Sequence, residues 1–187
     1  MVCGQMIEMK EGFALNKLKL LTMSDIPTEE VQWLWYPYLP RGKITIIQGD
    51  PGEGKTTFVL ALAALLTCGL PMPGDAESLP PMNIIYQTAE DGLADTVKPR
   101  LTALGADCSR VLVIDESERE LTLSDHRIAQ AIQETDAGLL VLDPIQAYLG
   151  EGVDMHRANE VRPVFKRLGQ LAEQTSCAIV LVGHMNK

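Results

Sequence analysis

One segment of the sequence combines the residue types that bind phosphate. Residues 49 to 56 fit the pattern G-x-x-x-x-G-K-[ST], directly after an apolar run and directly before a helical pattern, as this motif requires. The segment consists of Gly49, Asp50, Pro51, Gly52, Glu53, Gly54, Lys55 and Thr56. Glycines allow backbone N–H groups to converge on phosphate oxygens, and a helix beginning near Lys55 turns its positive dipole end toward them. We therefore predict a phosphate-binding loop here.

Individual side chains in and near this loop have predicted roles. Lys55 is expected to contact the β and γ phosphates of a nucleoside triphosphate, Thr56 to bind Mg²⁺ and Thr57 to donate to the α phosphate. Asp143 ends the apolar run 138–142. A carboxylate at the end of a buried strand is where P-loop enzymes hold the metal, so Asp143 is predicted to support Mg²⁺.

Two further acids follow another apolar run. Glu90 and Asp91 stand just after residues 83–88. Glu90 is a candidate for orienting an attacking water. Alternatively, both acids only place negative charge in the first turn of the following helix. The spacing leaves both interpretations open.

The order of elements predicts how these residues are brought together. Apolar runs rich in β-branched residues predict buried strands at 44–48, 83–87, 111–114, 139–142 and 178–182. Helical patterns alternate with them, at 55–70, at 93–104, after the expected N-cap Ser124, and around Pro163, which should fall in a first turn. Such alternation with right-handed crossovers predicts a three-layer α/β fold with a parallel central sheet.

The segment before the first strand is predicted to be a separate element. Residues 1–40 are interpreted as a lead-in arm and residues 41–187 as the core domain. The arm contains the crowded aromatic residues Trp33, Trp35, Tyr36 and Tyr38. They are expected to pack on the sheet edge, or alternatively to contact a nucleotide base or another subunit.

The balance of charge limits the classes of partner. The 187 residues carry 16 Lys and Arg against 25 Asp and Glu, a formal net charge of −9, and the sequence pI is about 4.8. Such a chain is unsuited to coating phosphate backbones over a broad surface. Any polyanion must therefore be bound at a local site.

Cysteine spacing and hydropathy bear on the compartment. The four cysteines Cys3, Cys68, Cys108 and Cys177 are far apart and form no CxxC pair, which favours a reducing cytosol over a zinc site or a disulfide framework. The longest strongly apolar run, 58–70, covers about 13 residues, fewer than the roughly 18 to 20 that cross a bilayer. With no export signal in the first twelve residues, we expect a cytoplasmic protein without membrane contact.

Taken together, the motifs resemble those of the RecA/DnaB-type P-loop ATPases, most closely the RepA-like hexameric helicase ATPases of plasmids and mobile elements. The resemblance spans residues 33 to 187 and rests on 49–56, 88–92, 143–148, Asp154 with Asn159, and 183–187. It implies a RecA-like fold, Mg²⁺-dependent hydrolysis of ATP to ADP, and assembly into a homo-oligomer, a hexamer in the full-length protein. It also implies a motor for single-stranded or duplex DNA, as a helicase or in DNA replication or repair.

The resemblance also implies roles for particular residues. Glu90 polarises the attacking water, Asp143 supports Mg²⁺, and His184 senses the γ phosphate. Arg100 lies against adenine. The alternative is that Arg100 is only a solvated charge on its helix. Asp154 joins the surroundings of the metal.

Relatives in the resembled family also carry strands after the sensor, with a DNA-contacting loop and an arginine finger. We therefore expect a core truncated after its fifth strand and only weak hydrolysis. Lys187 reaches a phosphate in some relatives, or frays as a terminal residue.

Two other functions are alternatives to a DNA motor. A nucleotide-dependent switch or assembly ATPase, resembling RadA-like or KaiC-like proteins, would hydrolyse ATP slowly without moving along DNA, and the acidic charge favours it slightly. A small-molecule kinase also uses a phosphate loop, but the sequence after Asp143 offers no obvious arginine-rich lid.

Overall fold

The computed structural model describes residues 18–150 and 157–184. By its contacts the chain forms two compact units, 1–30 and 31–187. In the described part of the first unit lies one short 3₁₀ turn, Met23–Asp25, without a buried residue. The second unit carries the strands and α-helices given below. The predicted arm 1–40 is thus shared between the two units, and its functional separation from residues 41–187 stays a prediction.

A five-stranded parallel sheet forms the middle of the second unit. Its strands are β3 (Ile44–Gly49), β4 (Asn83–Thr88), β5 (Val111–Leu112), β6 (Ala137–Asp143) and β7 (Ala178–His184), in the spatial order β3-β7-β6-β4-β5. A separate antiparallel pair, β1 (Trp33–Trp35) and β2 (Leu39–Pro40), precedes them. The Trp35 ring packs against Phe58, with 6.1 Å between ring centroids.

Four α-helices connect the strands: α1 (Lys55–Cys68), α2 (Lys98–Ala103), α3 (His126–Thr135) and α4 (Ala158–Thr175). Side chains of α1 and α2 pack on one face of the sheet, and those of α3 and α4 pack on the other. On β6, Leu139 and Val141 face the first pair, whereas Leu140 and Leu142 face the second, because successive strand residues alternate. The predicted three-layer α/β fold with a parallel sheet is confirmed.

Several predicted boundaries differ from the structure, and each difference has a physical cause. Strand β5 ends at Leu112 rather than at residue 114. The Gln87 side chain takes the place of a pairing strand there, since its Oε1 accepts from the Ile114 backbone N–H at 2.6 Å and its Nε2 donates to the Ile114 carbonyl at 3.2 Å. Helix α1 ends at Cys68 because Gly69 adopts a left-handed conformation, φ 64°, that closes the helix.

The helix boundaries show three further differences. The predicted helix 93–104 divides into a π-helical turn, Leu93–Val97, and the short α2. The N-cap of α3 is Asp125 rather than Ser124, because the Asp125 carboxylate accepts from the Arg127 backbone N–H. Pro163 is the sixth residue of α4 and lies beyond its first turn, because the helix begins at Ala158.

The parallel sheet brings the ends of four strands to one edge. In register, Gly49 of β3 pairs with His184 of β7, and Thr88 of β4 pairs with Asp143 of β6. The carboxyl ends of these four strands therefore lie side by side. Among the described residues, no helix combines the length and the apolar character needed to cross a membrane.

Candidate functional site

The phosphate loop lies between the end of β3 and the start of α1. Gly52 and Gly54 adopt left-handed conformations, with φ of 84° and 82°. Neither position has a neighbour within 4 Å of the point where a Cβ would stand. Glycine is therefore needed for its backbone conformation and not for lack of space. Gly54 is also the N-cap of α1, and its carbonyl accepts from the Phe58 N–H at 2.8 Å.

Groups of the loop satisfy one another in this structure. The Lys55 ammonium donates to the carbonyl oxygens of Gly49 at 2.9 Å and Asp50 at 2.7 Å. The Glu53 carboxylate accepts from the Asp50 backbone N–H at 2.8 Å. Thr57 is exposed in the first turn of α1. The Lys55 ammonium thus binds to the backbone of its own loop. Phosphate oxygens could replace the two carbonyl oxygens as its hydrogen-bond acceptors.

The predicted metal-binding residues meet where α1 approaches β6. The Thr56 hydroxyl donates to Asp143 Oδ2 at 2.7 Å. Asp143 is only 5% exposed, so this hydrogen bond joins the phosphate loop to the carboxylate at the end of β6 inside the protein.

A third residue, absent from the sequence predictions, completes this cluster. The Tyr86 hydroxyl on β4 donates to the same Asp143 Oδ2 at 3.0 Å, and Tyr86 is fully buried. Burial, and then the negative charge of Asp143, raise the pKa of Tyr86 above its ordinary value, so the hydroxyl remains a donor at physiological pH. The signal in the sequence was a tyrosine inside an apolar strand, because a buried tyrosine hydroxyl usually has a hydrogen-bond partner.

The donor set at this point suits Mg²⁺. Thr56 and Asp143 offer a hydroxyl oxygen and a carboxylate oxygen, and Mg²⁺ prefers oxygen ligands. Among the residues described, no group of three or more His, Cys, Asp or Glu side chains is arranged to hold a metal ion. Mg²⁺ typically keeps several waters and shares one or two protein ligands with substrate phosphates. The two side chains therefore fit a metal that is bound together with a nucleotide.

Glu90, just after β4, lies near His184 at the end of β7. Glu90 Oε1 is 3.6 Å from His184 Nε2, which is longer than a hydrogen bond. The Glu90 side chain is 63% exposed. His184 Nδ1 and Gln146 Oε1 are buried and lack a hydrogen-bond partner among the described residues, although Gln146 Nε2 donates to the His184 carbonyl at 3.3 Å.

Arg100 is paired with an acid of its own segment. Its Nη1 lies 3.1 Å from Asp91 Oδ2, and the Arg100 side chain is 46% exposed. The Asp91 backbone N–H donates a hydrogen bond to Thr88 Oγ1 at 3.2 Å. The structure brings Arg100 to the segment of Glu90 and Asp91, and its contact with adenine stays a prediction. Asp154 and Lys187 lie outside the described residues.

Comparison with known proteins gives matches over most of the chain. A family model described as an AAA domain matches residues 15–187. The DNA repair protein RadA of Halalkalibacterium halodurans is 29% identical over 148 residues, which are 78% of this chain and 28% of that protein. The RadA protein of Brucella abortus is 30% identical over 154 residues, 79% of this chain and 29% of that protein.

The RadA protein of Bacillus subtilis is similar to the same degree, at 28% identity over 149 residues, 79% of this chain and 29% of that protein. The chain thus spans less than a third of the length of these relatives. The family match covers well over half of the chain and includes the phosphate loop, the Asp143 strand and β7. The chain therefore belongs to the AAA domain family, as a P-loop ATPase core with a RecA-like fold.

Proposed function

We propose that this chain binds ATP together with Mg²⁺ and hydrolyses it. The observation that carries the proposal is the 2.7 Å hydrogen bond between Thr56 and Asp143. It joins the phosphate loop after β3 to the carboxylate at the end of β6, so that phosphate-binding and metal-binding groups share one location.

Different residues of the chain have different roles in this reaction. The loop N–H groups bind the phosphates, and the Lys55 ammonium exchanges its two carbonyl partners for β and γ phosphate oxygens. Thr56 and Asp143 hold Mg²⁺, which offsets phosphate charge when it is bound. Glu90 orients a water in line with the γ phosphorus. The bond from the water oxygen to that phosphorus forms as the bond to the β–γ bridging oxygen breaks, which releases ADP and phosphate.

We further propose that the longer protein uses this reaction to move or remodel DNA as an oligomeric motor. The resemblance to RepA-like hexameric helicase ATPases supports this proposal, as does the similarity to relatives named DNA repair proteins. The second candidate is a RadA-like switch or assembly ATPase that does not translocate on DNA. The net charge of −9 and the RadA similarity favour that candidate.

A single set of assays tests these proposals. Binding and hydrolysis of ATP are measured with Mg²⁺ or with EDTA, with and without single-stranded DNA, for this chain and for a version extended past Lys187. We expect Mg²⁺-dependent binding and slow hydrolysis by the chain, since charge stabilisation by a neighbour's arginine is worth about 10³ to 10⁵ in rate.

The outcomes separate the candidates. Stimulation of hydrolysis by DNA in the extended version supports the motor. Binding and hydrolysis without stimulation support the switch. If neither version binds ATP in the presence of Mg²⁺, the proposed function is wrong.

A further inference from the structure

The carboxylate proposed to support Mg²⁺ is held from two directions. Asp143 Oδ2 accepts one hydrogen bond from Thr56 on α1 and another from Tyr86 on β4. The other oxygen, Oδ1, accepts no hydrogen bond from the described residues. The two oxygens of Asp143 therefore differ in their hydrogen bonding: Oδ2 accepts from two protein donors, and Oδ1 accepts from none of the described residues.

The Thr56 hydroxyl can keep this contact while it binds a metal. A hydroxyl has one proton and two acceptor lone pairs, so Thr56 can donate to Asp143 and still offer a lone pair to Mg²⁺. The orientation of the Thr56 lone pairs then depends on where Asp143 Oδ2 lies. Whatever fixes that oxygen also fixes the geometry of the metal ligand.

Tyr86 is suited to fix it, because its ring lies in the buried core and not in the loop itself. Tyr86 is fully buried in the middle of β4 and pairs in register with Val141 of β6. Its ring belongs to the core between the sheet and helices α1 and α2. Residues 51–54 of the phosphate loop, by contrast, are exposed. The hydroxyl of Tyr86 thus reaches Asp143 from a fully buried position in the sheet.

Burial alone does not explain the contact. Tyr148 is also buried, with 1% of its surface exposed, and its hydroxyl has no hydrogen-bond partner among the described residues. This fold therefore tolerates a buried tyrosine hydroxyl without a partner. The pairing of Tyr86 with Asp143 is a specific arrangement at the candidate metal site.

We propose that Tyr86 is a positioning residue for the metal. Its hydroxyl holds Asp143 so that Oδ2 accepts the Thr56 hydrogen bond and Oδ1 would be available to support Mg²⁺, and this sets the Mg²⁺ concentration at which nucleotide binds. The inference rests on the proposed binding of ATP with Mg²⁺. It adds a residue to the metal site that does not itself touch metal or nucleotide.

The test compares Tyr86→Phe with the matched control Tyr148→Phe. Each variant loses one oxygen atom from a buried tyrosine, and thermal melting without metal checks that each is folded. Binding of a fluorescent ATP analogue is titrated with Mg²⁺, and binding in EDTA is measured separately. We expect Tyr86→Phe to need about tenfold more Mg²⁺, the lower end of the effect of groups that orient metal ligands, and to match wild type in EDTA. Tyr148→Phe should match wild type in both.

The outcomes distinguish this inference from the proposed function. If wild type shows no Mg²⁺-dependent binding, the proposed function itself fails. If wild type shows it and the Mg²⁺ curve of Tyr86→Phe coincides with that of wild type, the positioning role is overturned. An equal loss of binding with Mg²⁺ and in EDTA indicates a general structural effect and also overturns it.

A double-mutant cycle provides a second measurement. In the Asp143→Asn background, Tyr86→Phe should cause no further change in the Mg²⁺ requirement, because the carboxylate that it positions is absent. A full additional tenfold change would show that Tyr86 acts elsewhere and would contradict the proposal.

Discussion

The two sides of the candidate site are built differently. On the metal side, Thr56, Asp143 and Tyr86 are linked by hydrogen bonds of 2.7 and 3.0 Å, and the carboxylate is buried. On the water side, Glu90 is exposed and lies 3.6 Å from His184. The first side is thus joined by direct hydrogen bonds, whereas Glu90 and His184 are too far apart for one.

The difference has a physical cause. The metal side is assembled from β4, β6 and the start of α1, whose positions are fixed by the core of the sheet. Glu90 comes after the end of β4, in a turn with few buried neighbours. Catalytic hydrogen bonds are often long in ligand-free structures and tighten in the complex with substrate. We therefore expect changes on the two sides to affect different steps.

The largest effect is expected on the water side, in turnover. Glu90→Gln keeps the shape of the side chain but removes its charge, so hydrolysis should fall by about 10² to 10⁴ while ATP affinity is kept. Single-turnover hydrolysis and equilibrium binding measure the two quantities. Glu134→Gln, on an exposed position of α3, is the matched control. Unchanged hydrolysis in Glu90→Gln would remove Glu90 from the reaction.

An intermediate effect, on ATP affinity, is expected from a change in the phosphate loop. Lys55→Ala removes a charged donor to the phosphates, and the loss of about 1.5 to 3 kcal/mol corresponds to roughly 10- to 100-fold weaker ATP binding. Calorimetric titration in the presence of Mg²⁺ measures it. Lys43→Ala is the control, because Lys43 precedes β3 and pairs with Glu173 at the surface. Equal affinity of Lys55→Ala and wild type would contradict the predicted phosphate contact.

The smallest effect is expected at Arg100. If its guanidinium stacks on adenine, Arg100→Ala should weaken ATP binding by about 2- to 5-fold, the range of an exposed cation–π contact. Binding of inorganic triphosphate, which has no base, should not change. Asp91→Asn keeps Arg100 but removes the carboxylate that pairs with its guanidinium. This variant should therefore bind ATP at least as tightly as wild type.

Either of two results would contradict the predicted contact between Arg100 and adenine. An unchanged ATP affinity in Arg100→Ala would leave Arg100 as the solvated partner of Asp91. A loss shared by ATP and inorganic triphosphate would place its action on the phosphates.

The fold and the phosphate loop could be predicted because their signals are local. The motif at residues 49–56 and the alternation of strands with helices depend on spacing within short segments. Tyr86 was missed because its contact with Asp143 requires β4 to lie beside β6, and an apolar strand pattern does not give strand order.

The wrong boundaries have a similar origin. The end of β5 depends on the Gln87 side chain, which reaches Ile114 from a neighbouring strand. Helix α4 begins five residues ahead of Pro163, but its buried residues Val164, Leu168 and Ala172 all follow the proline, so the apolar pattern did not mark where the helix starts.

The lysine of the phosphate loop has a thermodynamic consequence. Its ammonium is already held by the carbonyl oxygens of Gly49 and Asp50. The side-chain entropy of a lysine, about 2 kcal/mol, is therefore lost during folding rather than when nucleotide binds. When nucleotide binds, the ammonium would exchange two neutral acceptors for charged ones, with little further loss of side-chain entropy at Lys55.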